Sequence, residues 1–568
     1  MPSSDPMSAA STVCMPSSDP MSAASAVCMP SPDPMSAASA VCMPSSDPMS
    51  AASAVCMPSS DPMRAASVAN KNPNVLIWAL QALPEDMWAS GKLCPQESTL
   101  ILAHASKQVL AVLRKFSRRM AAEHTVPGHV KIESILHVLE KRRSYVELTS
   151  LHIDRGGSSV TNTLGRSGIS DLAKFLMSQP AGLATMKTLS ISGNLFGSPD
   201  IYRSDMTPDH PIPSMIAMST SLTQLSLRHN KLNRDDLKIL SPKIALLTDL
   251  KRLDISQNSF GVHGIKRLVH AFITCKNITD VNLSSCNLTQ KGASFIEIMG
   301  EAWQGITHLN ISNNKLRNAG MESVAKTIQH MSLLVKLDIS KNELAVGYDM
   351  DDDTAPYIVV YNRMLPFLPK LHTFVCQNNT IMANGAGEII QSLALNCQNV
   401  QYVDLSGNMI GVGTDGNYAK IIEYLHQCKN LTTLDICCND LGNEGGSKIC
   451  QAVATSKSIT ELNLASNKMN LGDRSATSNL IHYFLSVSTH LRVLDLRYNR
   501  LSLSRGQKLL DCILQFRGFW WQKGELRIRI HDCNLKPEKQ NKLLAYAKAV
   551  DVHGVIELVF PIAQPALA

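Results

Sequence analysis

An eleven-residue pattern returns along most of this chain at a nearly constant interval. The stretch "ITDVNLSSCNL" (278–288) is followed 28 residues later by "ITHLNISNNKL" and 28 residues after that by "LVKLDISKNEL". Apolar residues keep fixed places in each copy, and an Asn or a Cys stands at the ninth position. A unit this short cannot bury its apolar side alone, so the chain is predicted to stack its units side by side.

Alignment of the copies on LxxLxLxx(N/C)xL gives twelve positions that hold Asn or Cys. These are Asn194, Asn230, Asn258, Cys286, Asn314, Asn342, Asn379, Asn408, Asn439, Asn467, Asn499 and Cys533. The stretch "LTSLHIDRG" (148–156) is a degenerate earlier copy. The sequence therefore predicts an array of about 12–13 units over residues 148–568.

Each unit combines two hydrophobic periods. In one copy, Leu253 and Ile255 alternate with polar residues, which predicts a strand, and Ile265, Leu268 and Phe272 mark one face of a helix. Stacked strands form a parallel sheet with a layer of helices behind it. Because a helix is wider than a strand, the stack is predicted to curve with its strands on the concave side.

The Asn and Cys positions are predicted to be structural. At the end of each strand the chain turns into the core, where water cannot reach its backbone N–H and C=O groups. An Asn amide offers both donors and acceptors to such groups, and a column of them can link one unit to the next. Cysteine is small and tolerates burial, so Cys286 and Cys533 are predicted to replace Asn in the same column.

The repeated pattern resembles the leucine-rich repeat family, and within it the ribonuclease-inhibitor-like class with units of 28 to 29 residues. The resemblance covers roughly residues 148–560. It implies an α/β solenoid shaped as a curved horseshoe, with the parallel sheet on the concave side and helices on the convex side.

Two segments precede the array. Residues 1–69 repeat the 14-residue unit "MPSSDPMSAASTVC", whose prolines and few large apolar residues predict disorder. Residues 70–147 carry helical periodicity and are predicted to form a helical cap over the first unit. Longer intervals within the array predict loop insertions near 198–213 and 346–370.

Part of the predicted cap resembles an F-box. The resemblance rests on "LPEDMWASGKLCPQESTLILAHASKQVLAVL" (83–113), which opens with Leu83-Pro84 and carries "LAHASKQV" (102–109) at the place of the family's apolar-Ser/Cys-Lys-Arg stretch. It departs from the family at Val109, where Trp is frequent, and at the interruptions by Gly91 and Pro95. The resemblance implies docking on a Skp-type adaptor of a cullin ubiquitin ligase.

Composition excludes several other classes. No apolar run reaches the roughly 18–20 residues of a membrane-spanning helix, and no secretory signal opens the chain, so a cytoplasmic location is expected, with the nucleus as an alternative. The formal net charge of +7 is spread without a concentrated basic stripe, which predicts no nucleic-acid binding. The fifteen cysteines form no CxxC or Cys/His metal spacing, and no catalytic motif is present. We expect no enzymatic activity, metal or cofactor.

Function is therefore predicted to lie on the outward side chains of the strands. Most units carry Asp or Asn followed two residues later by Ser, and the departures cluster late in the chain. They are Tyr402, Arg497, Tyr498, Arg527, Arg529 and His531. Tyr and Arg often dominate protein interfaces, so these residues predict a protein-binding surface for an acidic segment.

Three functions fit this sequence. The first is a monomeric, non-enzymatic protein-interaction scaffold that uses the concave sheet. The second is an F-box-type substrate receptor of a cullin ubiquitin ligase. The third is a regulator similar to Ran GTPase-activating proteins, which have units of similar length but typically end in an acidic tail, whereas this chain ends in "VIELVFPIAQPALA".

Overall fold

The structure is a computed structural model in which one unit of strand, turn and helix recurs. It describes residues 123–125, 136, 149–154, 164–178, 180–197, 206–344, 356–412, 418–470, 490–515, 527–530 and 536–550. The predicted disordered tract 1–69 and the F-box-like segment 83–113 lie outside the described residues, as does nearly all of 70–147. The predictions for those segments stay predictions.

Fourteen three-residue strands form one parallel sheet in which the strand order follows the chain order. The strands are β1 Glu123–Thr125, β2 Ser150–His152, β3 Thr188–Ser190, β4 Gln224–Ser226, β5 Arg252–Asp254, β6 Asp280–Asn282, β7 His308–Asn310, β8 Lys336–Asp338, β9 Thr373–Val375, β10 Tyr402–Asp404, β11 Thr433–Asp435, β12 Glu461–Asn463, β13 Val493–Asp495 and β14 Arg527–Arg529. Each unit therefore adds its strand beside that of the unit before it.

Helices connect successive strands and form the second layer. They are α1 Gly165–Met177, α2 Pro180–Thr185, α3 Pro211–Met218, α4 Arg234–Ile244, α5 Gly261–Thr274, α6 Thr289–Ile298, α7 Arg317–Ile328, α8 Pro356–Met364, α9 Met382–Asn396, α10 Ala419–Tyr424, α11 Gly442–Thr455, α12 Leu503–Gln515 and α13 Pro537–Val550. Short 3-10 helices follow three of them, at Gly300–Trp303, Leu365–Phe367 and Leu425–Gln427. This alternation is the predicted α/β solenoid.

The sheet begins earlier than the sequence predicted. Strand β1 lies inside the segment 70–147, which was predicted to be a helical cap, and its Glu123 pairs with Ser150 of β2. The helical prediction therefore does not hold for residues 123–125. The physical reason is that a free β2 edge has unpaired N–H and C=O groups, which a parallel strand satisfies directly and a helix does not.

One unit shows how the sequence makes these elements. In β5 the side chain of Leu253 is buried while Arg252 is exposed, and Ile255 is again buried. Helix α5 buries Ile265 and Leu268 on the stripe that faces the sheet. The two periodicities of the sequence thus meet in one layer of apolar side chains between sheet and helices.

These layers join into one hydrophobic core that runs from Leu151 to Ala547. Neighbouring units interlock within it: the Phe272 ring of α5 meets the Trp303 ring edge-on, with ring centroids 5.2 Å apart. Because every unit buries its apolar side against its neighbours, stability grows along the array rather than from a single centre.

The two predicted insertions fall before their helices. Helix α3 begins at Pro211 and α8 at Pro356, so the C-terminal parts of 198–213 and 346–370 belong to regular units. The additional residues of both units lie between the strand-end turn and the helix, at 198–205 and 345–355, outside the described residues. In the part of the chain that the structure describes, no helix has the length and apolar character required to cross a bilayer.

Candidate functional site

The turn after most described strands uses left-handed backbone on both sides of the Asn or Cys position; at Asn258 and Asn499 only the preceding residue is left-handed. Ser285 and Asn287 flank Cys286 with φ of 57° each, and Asn313 and Lys315 flank Asn314 with φ of 55° each. Such angles are uncommon outside glycine and cost roughly 1–2 kcal/mol per residue. This conformational cost is offset because the turn directs the following residues into the hydrophobic core.

The Asn amide satisfies the backbone groups that this turn buries. Asn314 Oδ1 accepts hydrogen bonds from the N–H of Cys286 at 2.8 Å and of Leu288 at 3.3 Å. Its Nδ2 donates to the carbonyl oxygens of Leu283 at 2.8 Å and Ile311 at 2.9 Å. Nδ2 also donates to the Ser312 carbonyl oxygen at 3.1 Å. One fully buried side chain therefore links two units through five backbone groups.

The same bond repeats along the array. The N–H at one Asn or Cys position donates to the Asn Oδ1 of the next unit at 2.7–3.0 Å. These donor and acceptor pairs are Asn194 to Asn230, Asn230 to Asn258, Cys286 to Asn314, Asn314 to Asn342, Asn342 to Asn379, Asn379 to Asn408, Asn408 to Asn439, Asn439 to Asn467 and Asn467 to Asn499. We call this column the amide ladder.

The ladder is interrupted at one step within this run, between Asn258 and Cys286. The Cys286 thiol donates to the carbonyl oxygens of Ser284 at 3.4 Å and Ile255 at 3.5 Å, so it replaces the donor half of the amide. It has no amide oxygen, so the Asn258 N–H meets the sulfur atom, which is a weaker acceptor. Burial raises the pKa of this thiol, which keeps it neutral and supports a structural role.

We expect Cys286→Asn to stabilise the array by about 1 kcal/mol, because the new Oδ1 gives the Asn258 N–H a stronger acceptor than sulfur. Urea unfolding should give a higher midpoint with an unchanged slope. Cys286→Ala is the control, since it removes the thiol contacts and adds no acceptor, and it should lower the midpoint. An Asn variant no more stable than the native chain would contradict this account of the ladder.

The Asp or Asn column on the exposed side of the sheet is also structural. Asp254 Oδ1 accepts from the Ser256 N–H at 3.0 Å, and Asp338 Oδ1 accepts in the same way from the Ser340 N–H at 3.0 Å. The carboxylate or amide thus closes the strand end as an Asx turn. This explains why the Asp/Asn-Ser pairing recurs without reference to a partner.

Two further columns on the outer corner of the array escaped the sequence analysis. Thr307 Oγ1 donates to the carbonyl oxygen of Thr279 at 3.0 Å, and Thr460 Oγ1 donates likewise to Thr432 at 3.2 Å. Asn277 Nδ2 donates to the carbonyl oxygen of Thr248 at 3.0 Å, with similar bonds in later units. The signal that could have revealed them is the recurrence of Thr seven residues, and of Asn nine residues, before the ladder position.

A column of cysteines fills the buried corner that leads into the strands. Cys275, Cys397 and Cys428 are all buried there, as their common spacing predicts. The Cys275 thiol donates to the Ile244 carbonyl oxygen at 3.4 Å, and burial raises its pKa to about 11. Burial raises the pKa of Cys397 and of Cys428 to about 12. These thiols are protonated packing groups.

The outward side chains of the strands and of the three residues after each one form what we call the sheet face. At its C-terminal end, Asp495 of β13 gathers two of the predicted binding residues. Arg497 Nε lies 2.8 Å from each Asp495 carboxylate oxygen, and Arg529 Nη1 of β14 lies 3.7 Å from Oδ2. The Asp495 side chain is only 3% exposed, whereas those of Arg497 and Arg529 are 31% and 40% exposed.

The other predicted binding residues occupy different places. Tyr498 is 56% exposed and follows Arg497, and Arg527 is exposed at the start of β14. Tyr402 lies in β10, three strands or about 14 Å from β13, and its hydroxyl donates to Asp404 Oδ2 at 3.2 Å. Burial, followed by the nearby Asp404 and Asp435 carboxylates, raises the Tyr402 pKa. The structure therefore does not bring Tyr402 into contact with the arginines.

Two of the predicted positions lie outside the residues that the structure describes. They are His531 and Cys533.

Elsewhere on the sheet face, opposite charges are paired between strands, since Arg252 Nε of β5 lies 2.9 Å from Asp280 Oδ2 of β6. Among the residues that the structure describes, no cluster of three or more His, Cys, Asp or Glu side chains is arranged to hold a metal ion.

The family follows from the fold together with a sequence match. The "Leucine Rich repeat" family model matches residues 274–296, 306–325, 427–450 and 487–504, each of which spans part of a strand-turn-helix unit. This chain is a leucine-rich repeat protein. Leucine-rich repeat proteins bind other proteins, and their fold is typically a scaffold without enzymatic activity.

Three known proteins are similar to parts of this chain. A human NACHT, LRR and PYD domains-containing protein is 28% identical over 129 residues, which is 22% of this chain and 12% of that protein. The Ran GTPase-activating protein of Saccharomyces cerevisiae is 24% identical over 281 residues, or 47% of this chain and 68% of that protein. The solved leucine-rich repeat protein LegL7 of Legionella pneumophila is 17% identical with a TM-score of 0.36, covering 57% of this chain and 97% of that structure.

Proposed function

We propose that this leucine-rich repeat protein is a non-enzymatic scaffold that binds an acidic segment of a partner protein at β13 and β14 of the sheet face. The observation that carries the proposal is the fixed pair of guanidinium groups around Asp495. A buried carboxylate needs a charged partner, so Asp495 holds Arg497 in a bidentate pair and attracts Arg529. One carboxylate thus holds two cationic side chains at neighbouring strands of the sheet face.

This arrangement favours binding because the guanidinium groups are ordered before a partner arrives. Ordering a long side chain at an interface costs about 0.5–1.5 kcal/mol, and that cost is reduced when the protein has already fixed it. The exposed edges of Arg497 and Arg529 remain able to meet carboxylates of a partner. Arg527 adds a further exposed positive charge on the same strand as Arg529.

Tyr498 supplies an apolar contact beside this charge. It is 56% exposed and has a φ of 56°, a conformation that is strained for an aromatic residue. Other units place Ser285, Asn313 or Ser466 at the same turn position. An exposed aromatic ring in a strained conformation next to two arginines is typical of an interface anchor.

We expect the double variant Tyr498→Ser/Arg527→Thr to weaken partner binding by at least about 10-fold. Both replacements are native at the same positions of other units, as in Ser466 and Thr433, so the variant should keep its fold. Quantitative proximity labelling in the native cell would identify partners, and titration of a purified acidic segment of the partner would give the dissociation constant.

The matched control is Lys341→Ser, which removes an exposed side chain from the turn position that corresponds to Tyr498. Its binding should equal that of the native chain. Circular dichroism of both variants checks the fold. Equal binding by the double variant, or a partner segment without acidic residues, would contradict the proposed function.

A second candidate is a GTPase-activating regulator similar to the yeast Ran GTPase-activating protein. The sequence similarity over 68% of that protein favours it. The discriminating measurement is the rate of GTP hydrolysis by purified Ran with and without this chain. A scaffold leaves the rate unchanged, whereas a regulator of this kind raises it.

A further inference from the structure

Cys437 and Cys438 stand apart from the other described cysteines. Cys275, Cys286, Cys376, Cys397, Cys428 and Cys450 are buried, whereas Cys437 is partly exposed and Cys438 is exposed. Both follow β11 on the sheet face, where most units have Ser and a left-handed turn residue. Cys438 is that turn residue, with φ of 57°.

The two thiols are neighbours in the chain and interact with each other. The Cys437 thiol is also near enough to Asp435 to interact with its carboxylate, and the Cys437 N–H donates to Asp435 Oδ1 at 3.0 Å. Backbone bonds from Gly407 N–H to the Cys437 oxygen and from Cys438 N–H to the Ala465 oxygen, each 2.9 Å, set the register with the neighbouring units. The pair therefore lies between small residues on both sides, Ser406 and Gly407 on one and Ala465 and Ser466 on the other.

The neighbouring residues on both sides of the pair are small. Gly407 follows β10, and Ala465 and Ser466 follow β12. Larger residues, Gln377 and Arg497, stand at the Cys437 position only two units away on either side. Cys437 is partly exposed and Cys438 is exposed, so both thiols are accessible to a small reagent.

The chemistry of the pair limits what it can bind. Adjacent Cα atoms are about 3.8 Å apart, below the spacing of roughly 4.4–6.8 Å usual for disulfides, so a disulfide between neighbours is strained and easily reduced. Asp435 is the one further metal-binding type of side chain beside the pair, and among the described residues no three such side chains are arranged to hold a metal ion. This argues against zinc, which needs four ligands. A centre that needs only two sulfur ligands fits better.

We propose that Cys437 and Cys438 form a vicinal dithiol site that captures a trivalent, thiophilic centre of the arsenic(III) class. With a hydrated aryl-arsenic(III) group, two S–H and two As–O bonds break while two As–S and two O–H bonds form. Two water molecules leave, and arsenic keeps its oxidation state. Asp435 accepts the Cys437 proton and passes it to the departing hydroxide.

The environment of Cys437 agrees with this route. Burial, followed by the Asp435 carboxylate and Cys438, raises the pKa of the Cys437 thiol. The thiol therefore stays protonated and depends on a neighbouring proton acceptor. Burial also raises the pKa of Asp435, which makes its carboxylate a better acceptor. This proposal does not depend on the proposed partner-binding function, because the site lies two strands from β13.

The test treats the reduced, full-length chain with phenylarsine oxide and maps the product by peptide mass spectrometry. We expect one phenylarsenic group bridging Cys437 and Cys438, released by a dithiol but not by an equal thiol concentration of a monothiol. Cys437→Ser and Cys438→Ser should each weaken capture at this peptide by about 100-fold or more, because one As–S bond and its effective concentration are lost.

The serine variants are expected to fold, since Ser284 and Ser285 stand at these two positions in the β6 unit. Cys450→Ser is the matched control: it removes a buried thiol of the same unit and should leave capture unchanged. The proposal is overturned if either serine variant binds as well as the native chain, or if arsenic at this peptide is released equally by the monothiol.

Discussion

Asn314→Leu is expected to destabilise the array by roughly 4 kcal/mol or more, the largest effect of any single side-chain replacement considered. The amide makes hydrogen bonds to two N–H groups and three carbonyl groups of the buried turn. Leucine fills a similar space but makes none of these bonds, at about 1–3 kcal/mol for each buried group left unsatisfied. Urea unfolding followed by circular dichroism would measure the change in unfolding free energy.

The loss should also be local. Each unit contacts only its neighbours, so hydrogen exchange should accelerate first in β6 and β7, which flank the lost bonds. Asn399→Leu is the matched control, because that exposed amide makes one bond, to the Pro369 carbonyl oxygen at 2.8 Å. It should change stability by no more than about 1 kcal/mol. Equal effects of the two replacements would show that the ladder does not stabilise the array.

Gly411→Ala is expected to cost at least about 3 kcal/mol, because the chain of the next unit lies directly against this glycine. The Gly411 N–H donates to the Asn439 carbonyl oxygen at 2.8 Å, which draws the two turns together. A Cβ at Gly411 would lie 2.2 Å from the Asp440 carbonyl oxygen and 2.4 Å from the Leu441 Cα. These atoms are backbone, so they cannot rotate away as a side chain would.

Gly442→Ala is the control for Gly411→Ala, because it tests the cost of a left-handed backbone without a steric clash. Gly442 occupies the same position in the next unit, three residues after the ladder Asn. It has φ of 60°, yet no heavy atom lies within 4 Å of the place where its Cβ would be. Alanine there should cost only the left-handed backbone, about 1–2 kcal/mol. If thermal unfolding ranks Gly442→Ala as the more damaging change, the close approach of the units at Gly411 is not what limits stability.

The surface that we propose for binding was only partly predictable from the sequence. Sequence reasoning selected Arg497 and Arg529 as departures from the repeat, because residues that break a structural pattern have another reason to be present. The sequence did not predict that both arginines form ion pairs with Asp495. That residue belongs to the column of Asp and Asn side chains that close the strand ends, so its pattern indicates only a structural role. Sequence reasoning also grouped Tyr402 with these arginines, whereas β10 lies three strands away.

The sequence by itself determined the unit and its stacking. Apolar residues at periods of two and 3.6 predict strand and helix, and a unit that cannot bury both faces alone must pack on copies of itself. It also placed the ladder, because a small polar residue repeated among apolar ones implies buried hydrogen bonds. The start of the sheet at β1 did not follow in this way, since Glu123–Thr125 lacks the repeat pattern.

Only the tertiary structure decided which side chains meet between units. The changed ladder step at Cys286, the sharing of Asp495 and the small neighbours of Cys437 and Cys438 all depend on the register between neighbouring strands. Residues that are about 30 positions apart in the chain become direct neighbours when parallel strands pair. The order of residues within a unit does not contain those contacts, because they arise where one unit is laid against the next.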